Sequence, residues 1–208
     1  MKTNVRKRFS FFTILLVFFS GFSAFFLLKE KVSGEAYKAA FAAMDAYRSI
    51  HPEEHPRFLA VVDFSKPSYL KRMAVIDLRS GDESFFWTAH GKNSGGLYAN
   101  RFSNSSESNM SSLGLYKILE TYNGDHGKAI RLAGLDPEMN SNAFKRDIVL
   151  HSADYVSLKY ILVNILTLNS PMIGRSNGCF VVSPRDIDDV VQKLNQGAFL
   201  FAWGEKMP

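Results

Sequence analysis

The feature that most constrains this chain is an unbroken apolar run near its N-terminus. Residues 9–28, from Phe9 to Leu28, contain no charged side chain over 20 positions. A helix of that length spans about 30 Å, which matches the hydrocarbon core of a bilayer. Four basic residues precede the run, and this placement of charge favours a cytoplasmic N-terminus with the remaining chain outside.

The apolar run is compatible with an uncleaved anchor or with a cleaved signal peptide. Small residues at Gly21 and Ser23 suit a cleavage site, yet the apolar run continues past them, and a second candidate site at Gly34 and Ala36 follows two lysines. We therefore favour an uncleaved membrane anchor. Either outcome predicts a membrane-bound or secreted protein whose folded part lies on the periplasmic or extracytoplasmic side.

The basic net charge belongs mainly to the N-terminal segment. Residues 1–31 carry six of the 25 basic side chains and one of the 20 acidic ones, so residues 32–208 have 19 of each. A nearly neutral folded part gives no basic footprint for nucleic acid. We therefore expect no nucleic-acid partner, and the sequence leaves the oligomeric state open.

The pattern beyond the anchor predicts a mainly β domain with a few peripheral helices. We divide the chain into an anchor at 1–31, a helical lead-in at 32–57 and the β-rich domain at 58–208. Helices are predicted at 35–49, at 156–168 and after Ser183-Pro184, with Ser183 as the cap and Pro184 in the first helical position. Strands are predicted at 58–64, 73–78, 84–90, 113–119, 129–132, 147–151, 178–182 and 198–203.

A long segment at 91–112 interrupts these strands and is rich in Gly, Ser and Asn. Segments of this length inside a compact domain are usually functional or disordered. We expect it to form a flap over a binding cleft or a wall of that cleft.

Cys179 is the only cysteine in the sequence, which rules out an intrachain disulfide and a cysteine-rich zinc site. Gly178 before it permits a tight turn, and the backbone N–H groups of both residues could stabilise an oxyanion. Arg175 could lower the thiol pKa or hold a substrate carboxylate. The alternative is an inert buried cysteine.

His151 ends an apolar, strand-like run, and a histidine held by a rigid sheet suits a general base. The alternative is a histidine with a structural role. Its sequence distance from Cys179 is not diagnostic, because nucleophile and base need to meet only in space.

The other histidines give weaker signals. His51 and His55 are four residues apart, but the zinc-protease pattern requires Glu directly after the first histidine, and Pro52 interrupts a helix. We therefore expect no metal site. His90 and His126 each begin a glycine-containing loop, which indicates either a turn residue or a substrate contact.

Several stretches together resemble the L,D-transpeptidase catalytic domain of the YkuD type, in its murein L,D-transpeptidase branch. The resemblance covers residues 58–203, and its most specific parts are HSADY at 151–155 and GRSNGC at 174–179. The other stretches are VVDFSKPS (61–68), VIDL (75–78), AHGKNSGGLYANRFSN (89–104), SSLGLY (111–116), TYNGDHGKAIRLAGL (121–135), NAFKRDIVLHSADYVS (142–157) and GRSNGCFVVSP (174–184).

The resemblance implies a β-sandwich-like fold and an enzyme without metal or cofactor. It implies Cys179 as the nucleophile and His151 as the residue that activates it, oriented by a backbone carbonyl. Its substrate would be a peptidoglycan peptide stem, which acylates the cysteine and is then transferred to an amine. We predict that three residues shape the oxyanion site: Ser176, Asn177 and Gly178. We predict that four others contact the substrate: Arg175, His90, Tyr98 and His126.

Two positions depart from the pattern of many relatives. Asn177 stands where many have histidine, and Ser152 stands where many have glycine. Because an amide cannot exchange a proton near neutral pH, we predict that Asn177 acts by positioning the turn. Two other functions stay open: an L,D-carboxypeptidase that uses water as acceptor, and a non-catalytic wall-binding module.

Overall fold

The structure is a computed structural model that describes residues 31–125, 127–195 and 197–205. The predicted anchor at 9–28 and the predicted substrate residue His126 lie outside these ranges. No helix within the described residues is both long and apolar enough to cross a membrane.

The described residues contain eight strands and three helices, so the prediction of a mainly β domain is confirmed. The strands are β1 (Phe58–Asp63), β2 (Met73–Asp77), β3 (Glu83–Phe86), β4 (Gly114–Gly124), β5 (Gly127–Gly134), β6 (Val149–Ser152), β7 (Phe180–Val182) and β8 (Ala198–Trp203). The helices are α1 (Gly34–Ile50), α2 (Leu158–Leu166) and α3 (Ile187–Leu194).

All eight strands belong to one sheet, in the order β3-β2-β1-β8-β4-β5-β6-β7. Two neighbouring pairs, β1 with β8 and β6 with β7, are parallel, and the others are antiparallel. An antiparallel bridge joins Ala89, just after β3, to Val181 in β7. The two edges of the sheet therefore approach each other, so the sandwich-like fold expected from the resemblance is a single curled sheet.

The inner face of this sheet encloses the main core. Alternate residues such as Ala60, Val62, Leu150 and Phe180 point into it, and the apolar side of α3 packs there too. The intervening residues of the central strands face outward, where α1 covers them. Burial on both faces explains why β1 and β8 are continuous apolar runs instead of alternating ones.

Helix α1 is fastened to the sheet by a buried carboxylate. Ser33 caps the helix by accepting the Ala36 N–H at 3.3 Å. The backbone N–H and hydroxyl of Ser33 both donate to Asp63 Oδ2, at 2.8 and 2.7 Å. The predicted lead-in helix is therefore packed on the outer face of the sheet through its N-cap.

The start of α3 differs from its prediction. The helix begins at Ile187 and its N-cap is Asp186, whereas Ser183 and Pro184 lie in a preceding turn. The Ser183 carbonyl accepts the Asp186 N–H at 2.9 Å. This local hydrogen bond closes a turn first and delays the helix by a few residues.

Candidate active site

Parallel pairing of β6 with β7 brings Cys179 and His151 together. Leu150 pairs with Phe180 and His151 pairs with Val181, while Cys179 directly precedes β7. Because Leu150 and Phe180 point into the core, the alternating residues His151 and Cys179 lie on the opposite face. The two residues are thus diagonal neighbours across adjacent strands, which in a sheet lie about 4.8 Å apart.

The His151 ring is oriented by a backbone carbonyl. Its Nδ1 lies 3.0 Å from the Ser152 carbonyl oxygen. A carbonyl only accepts, so Nδ1 carries the hydrogen and Nε2 of the neutral ring carries the lone pair. The residue that departs from the family pattern, Ser152, orients the ring through its main chain, which any residue type provides.

The Cys179 thiol lies against an apolar cluster that includes Val181, Ile173 and Tyr155. Burial raises the pKa of the Cys179 thiol, and this effect outweighs the Val149 backbone N–H and the Arg146 charge, which lower it. The thiol also lies 3.6 Å from the Asp147 carbonyl oxygen, to which it donates. At neutral pH the thiol is therefore protonated, and a nearby base is needed to form the thiolate.

Arg146 is the cation that lowers the pKa of the Cys179 thiol, and no sequence pattern predicts that role for it. Its Nη1 donates to the carbonyl oxygen of Ser103 and to Ser112 Oγ, at 2.7 and 3.1 Å. Its Nη2 donates to Ser108 Oγ and to the Met110 carbonyl, at 3.2 and 2.6 Å. The stretch 142–157 pointed to this region, but no motif distinguishes Arg146 from its neighbour Lys145.

Gly178 occupies a position that excludes a side chain. Its φ is +127°, in the range that favours glycine. A Cβ there would lie 2.9 Å from the Met110 carbonyl oxygen and 3.0 Å from Ile148 Cδ1. The glycine before the candidate nucleophile is thus required by its backbone angle and by the close approach of the 91–112 segment.

Ser176, and not Asn177, shapes the turn before the cysteine. Ser176 Oγ accepts the Gly178 N–H at 3.1 Å and donates to the Cys179 carbonyl at 2.7 Å. The Gly178 N–H is therefore already used inside the turn, which leaves the Cys179 N–H as the oxyanion donor of the predicted pair. Asn177 is exposed, and its amide bonds to no described residue, so the turn-shaping role predicted for it belongs to Ser176.

The prediction that His90 contacts substrate conflicts with its burial. The residue is fully buried, and its Nδ1 accepts from Arg72 Nη2 at 2.6 Å, because a guanidinium only donates. Its Nε2–H then donates to the Gly95 carbonyl at 3.3 Å. Burial and the Arg72 charge lower the pKa of His90 to about 3, so the ring stays neutral and structural.

The two remaining predicted substrate residues are exposed near the 91–112 segment. Arg175 Nη1 donates to the carbonyl oxygens of Lys92 and Gly95, at 3.2 and 2.9 Å. Tyr98 lies on the same segment with 47% of its surface exposed. The segment lines a cleft next to Arg175, so it forms a cleft wall.

Comparison with known proteins assigns the chain to a family. The family model described as the L,D-transpeptidase catalytic domain, YkuD_2, matches residues 28–203. The chain belongs to this family, as the resemblance predicted. No curated protein matches the chain significantly.

Solved structures of L,D-transpeptidases match the chain at low sequence identity and with TM-scores below 0.5. One from Mycobacterium smegmatis is 13% identical over 71% of this chain and 59% of that one, with a TM-score of 0.43. One from Mycobacterium tuberculosis H37Rv is 14% identical over 72% and 58%, with a TM-score of 0.43. The transpeptidase LdtMt1, solved with imipenem, is 12% identical over 71% and 59%, with a TM-score of 0.41. The chain thus spans less than two thirds of each of these structures.

Proposed function

We propose that this protein is a cysteine-dependent L,D-transpeptidase that acts on peptidoglycan peptide stems. One observation carries the proposal: His151 in β6 and Cys179, directly before the parallel strand β7, lie on the same face of the sheet, opposite the main core. The Ser152 carbonyl holds the His151 ring in the tautomer whose Nε2 can accept a proton.

The first half of the reaction forms a thioester. His151 Nε2 takes the thiol proton, and Cys179 Sγ attacks the carbonyl carbon of an L-configured residue in the donor stem. The Cys179 N–H stabilises the oxyanion of the tetrahedral intermediate. The C–N bond then breaks, His151 returns its proton to the departing amine, and the terminal D-residue leaves.

The second half transfers the acyl group. The amine of a second stem attacks the thioester carbonyl and gives its proton to His151. The C–S bond then breaks, and His151 passes that proton to the departing sulfur, which regenerates the thiol. Because burial raises the pKa of the Cys179 thiol, His151 acts as a general base in the first step and not only as the partner of a preformed thiolate.

A purified tetrapeptide stem tests the proposal by mass analysis of the products. The wild-type protein should yield crosslinked stems. Cys179→Ala should abolish turnover, and His151→Ala should slow it about 10²- to 10⁴-fold, the usual contribution of a general base. His51→Ala is the matched control, since His51 lies at the end of α1 and pairs with Glu53.

The products also separate the proposal from its alternatives. Tripeptide without crosslinks would identify water as the acceptor and the protein as an L,D-carboxypeptidase. Crosslinking by Cys179→Ala at the wild-type rate would refute the nucleophile. We also expect imipenem to add once per chain to the wild-type protein and not to Cys179→Ala.

We further propose that the catalytic domain lies outside the cytoplasmic membrane, tethered by residues 9–28. The uncharged run and the basic residues before it support this placement. Membrane fractionation tests it: the full chain should resist carbonate extraction, and a chain lacking residues 1–31 should not. Release of the intact chain by carbonate would contradict an anchor, and recovery of a shortened chain in the released fraction would favour cleavage.

A further inference from the structure

A cleft beside the candidate active site is lined by positive charge. Its volume is about 790 Å³, and its lining residues are Lys92, Gly95, Gly96, Asn100, Arg101 and Arg175. Among the described residues, three cations and no carboxylate contribute to this lining. We call it the cationic cleft.

The three cations of the cationic cleft have no acidic partner in the described part of the chain. Other basic residues do pair: Lys117 with Glu54, Lys128 with Asp188 and Arg131 with Glu120. Acidic and basic residues are equally numerous in 32–208, so a shortage of carboxylates does not explain the difference. Like charges around one cleft repel each other, and a bound anion removes that cost.

Arg175 presents part of its guanidinium to a ligand. Nη1 is occupied by the Lys92 and Gly95 carbonyls, which hold the group in place. Its Nη2 and Nε make no hydrogen bond with any residue the structure describes. A guanidinium fixed at one nitrogen, with its other donors available, suits a planar carboxylate.

The cationic cleft is also joined to the turn that carries the thiol. The Lys92 N–H donates to the Ser176 carbonyl at 2.7 Å, and Ser176 in turn bonds to Cys179. Arg175 precedes Cys179 by four residues, so their Cα atoms are at most about 14 Å apart. An extended tetrapeptide spans a similar length, so a stem attacked at Cys179 can reach the cleft.

We propose that the cationic cleft binds a carboxylate of the donor peptide stem and so positions the stem for attack by Cys179. This inference rests on the proposed function, because it names what the stem contacts away from the thiol. The carboxylate is either the C-terminal one or one carried within the stem, and amidated stems distinguish the two.

The test is steady-state kinetics of the double variant Lys92→Gln/Arg101→Gln, which leaves Arg175 and its loop contacts in place. The matched control is Lys38→Gln, an exposed lysine on α1. We expect KM for the tetrapeptide to rise about two- to twentyfold in the double variant, since exposed ion pairs change affinity by up to about fivefold each. The kcat should stay nearly constant, because the lost contact is the same in ground and transition states.

Kinetics with stems in which one carboxylate is amidated form the second part of the test. In the wild-type protein, amidation of the recognised carboxylate should raise KM by a similar factor. In the double variant the same amidation should raise KM by less, because only Arg175 remains to recognise the carboxylate. An unchanged KM in the double variant, a loss confined to kcat, or equal amidation penalties in both proteins would each overturn the proposal.

A measurement of stem affinity distinguishes failure of this inference from failure of the proposed function. Calorimetric titration of the stem into Cys179→Ala measures affinity without turnover, and adding Lys92→Gln/Arg101→Gln should weaken it by the same factor. If the wild-type protein gives no product but the double substitution still lowers affinity, the proposed enzymatic function is wrong and the proposal that the cationic cleft binds the stem is supported. If turnover occurs without an affinity loss, the cleft proposal fails.

Discussion

At the scale of single residues, Arg146 links the 91–112 segment to the thiol. Its two terminal nitrogens donate to four residues of that segment. One of these, Met110, places its carbonyl against Gly178, and the Arg146 charge lowers the pKa of the Cys179 thiol. The same guanidinium therefore fixes the cleft wall and favours the thiolate.

We expect Arg146→Gln to move the pH dependence of Cys179 alkylation to higher pH. Removing the positive charge removes one of the causes that lower the thiol pKa, so less thiolate is present at any given pH. The measurement is the iodoacetamide alkylation rate as a function of pH. Lys145→Gln is the matched control, because this neighbour is exposed and is not among the groups that shift the thiol pKa.

Arg146→Lys distinguishes charge from structure. Lysine keeps the positive charge but loses the forked donors, so it should restore much of the alkylation profile. An Arg146→Gln profile that coincides with that of the wild-type protein would show that Arg146 serves only to hold the segment.

At the scale of elements, side-chain hydrogen bonds hold the 91–112 segment and helix α1 in place, since neither is a strand of the sheet. In the 91–112 segment, Ser111 Oγ accepts the Gly91 N–H at 3.0 Å and Ser94 Oγ accepts the Ser111 N–H at 2.9 Å. These bonds make the segment a cleft wall and explain its serine content. Helix α1 depends in the same way on Ser33 and Asp63.

We expect Asp63→Ala to lower the free energy of unfolding by about 2–4 kcal/mol, because the donors of buried Ser33 and half-buried Ser65 lose a charged acceptor. Asp63 is fully buried at the end of β1. Asp45→Ala on α1 is the control, since its carboxylate is exposed and should change stability by less than about 0.5 kcal/mol. Urea unfolding measures the free energy of unfolding of both variants. Equally small decreases in the two would contradict the role of Asp63 in fastening α1 to the sheet.

At the scale of the whole molecule, the closure of the sheet buries the charged Arg72 guanidinium beside the titratable ring of His90. The residues after β3 pair with β7 and with the turn at Ser176. This closure encloses His90 against Arg72, whose guanidinium also donates to the Thr88 and Lys66 carbonyls. Protonation of His90 would place a second positive charge in that buried site.

We therefore expect acid to destabilise the fold through His90. The pKa of His90 is lowered to about 3 in the folded state and is about 6.5 in an unfolded chain. Between these values the unfolded chain binds a proton that the folded chain does not, so stability falls as pH falls, by up to about 1.4 kcal/mol per pH unit.

His90→Asn tests this expectation, since an amide oxygen can accept from Arg72 but does not titrate. Urea unfolding across this pH window should give a smaller slope of stability against pH than in the wild-type protein. His55→Asn, at an exposed position, should keep the wild-type slope. Equal slopes in all three proteins would assign the acid sensitivity to other groups.

The sequence by itself determined the type of most elements and the identity of the candidate pair. The predicted strand at 198–203 coincides with β8, and the first predicted helix differs from α1 by one residue at each end. These features are local, because apolar periodicity and turn residues act over a few positions. Cys179 and His151 were recognisable because each lies in a short characteristic stretch.

Only the tertiary structure decided which neighbours surround those two residues. The sequence offered Arg175 either to lower the thiol pKa or to hold a substrate carboxylate, yet the cation that lowers the pKa of the Cys179 thiol is Arg146. His90 is buried although its loop is polar. Electrostatic interactions and burial depend on distance in space, and the strand order places distant segments side by side. The use of the Gly178 N–H by Ser176 likewise depends on the exact backbone angles of the turn, which residue types alone do not specify.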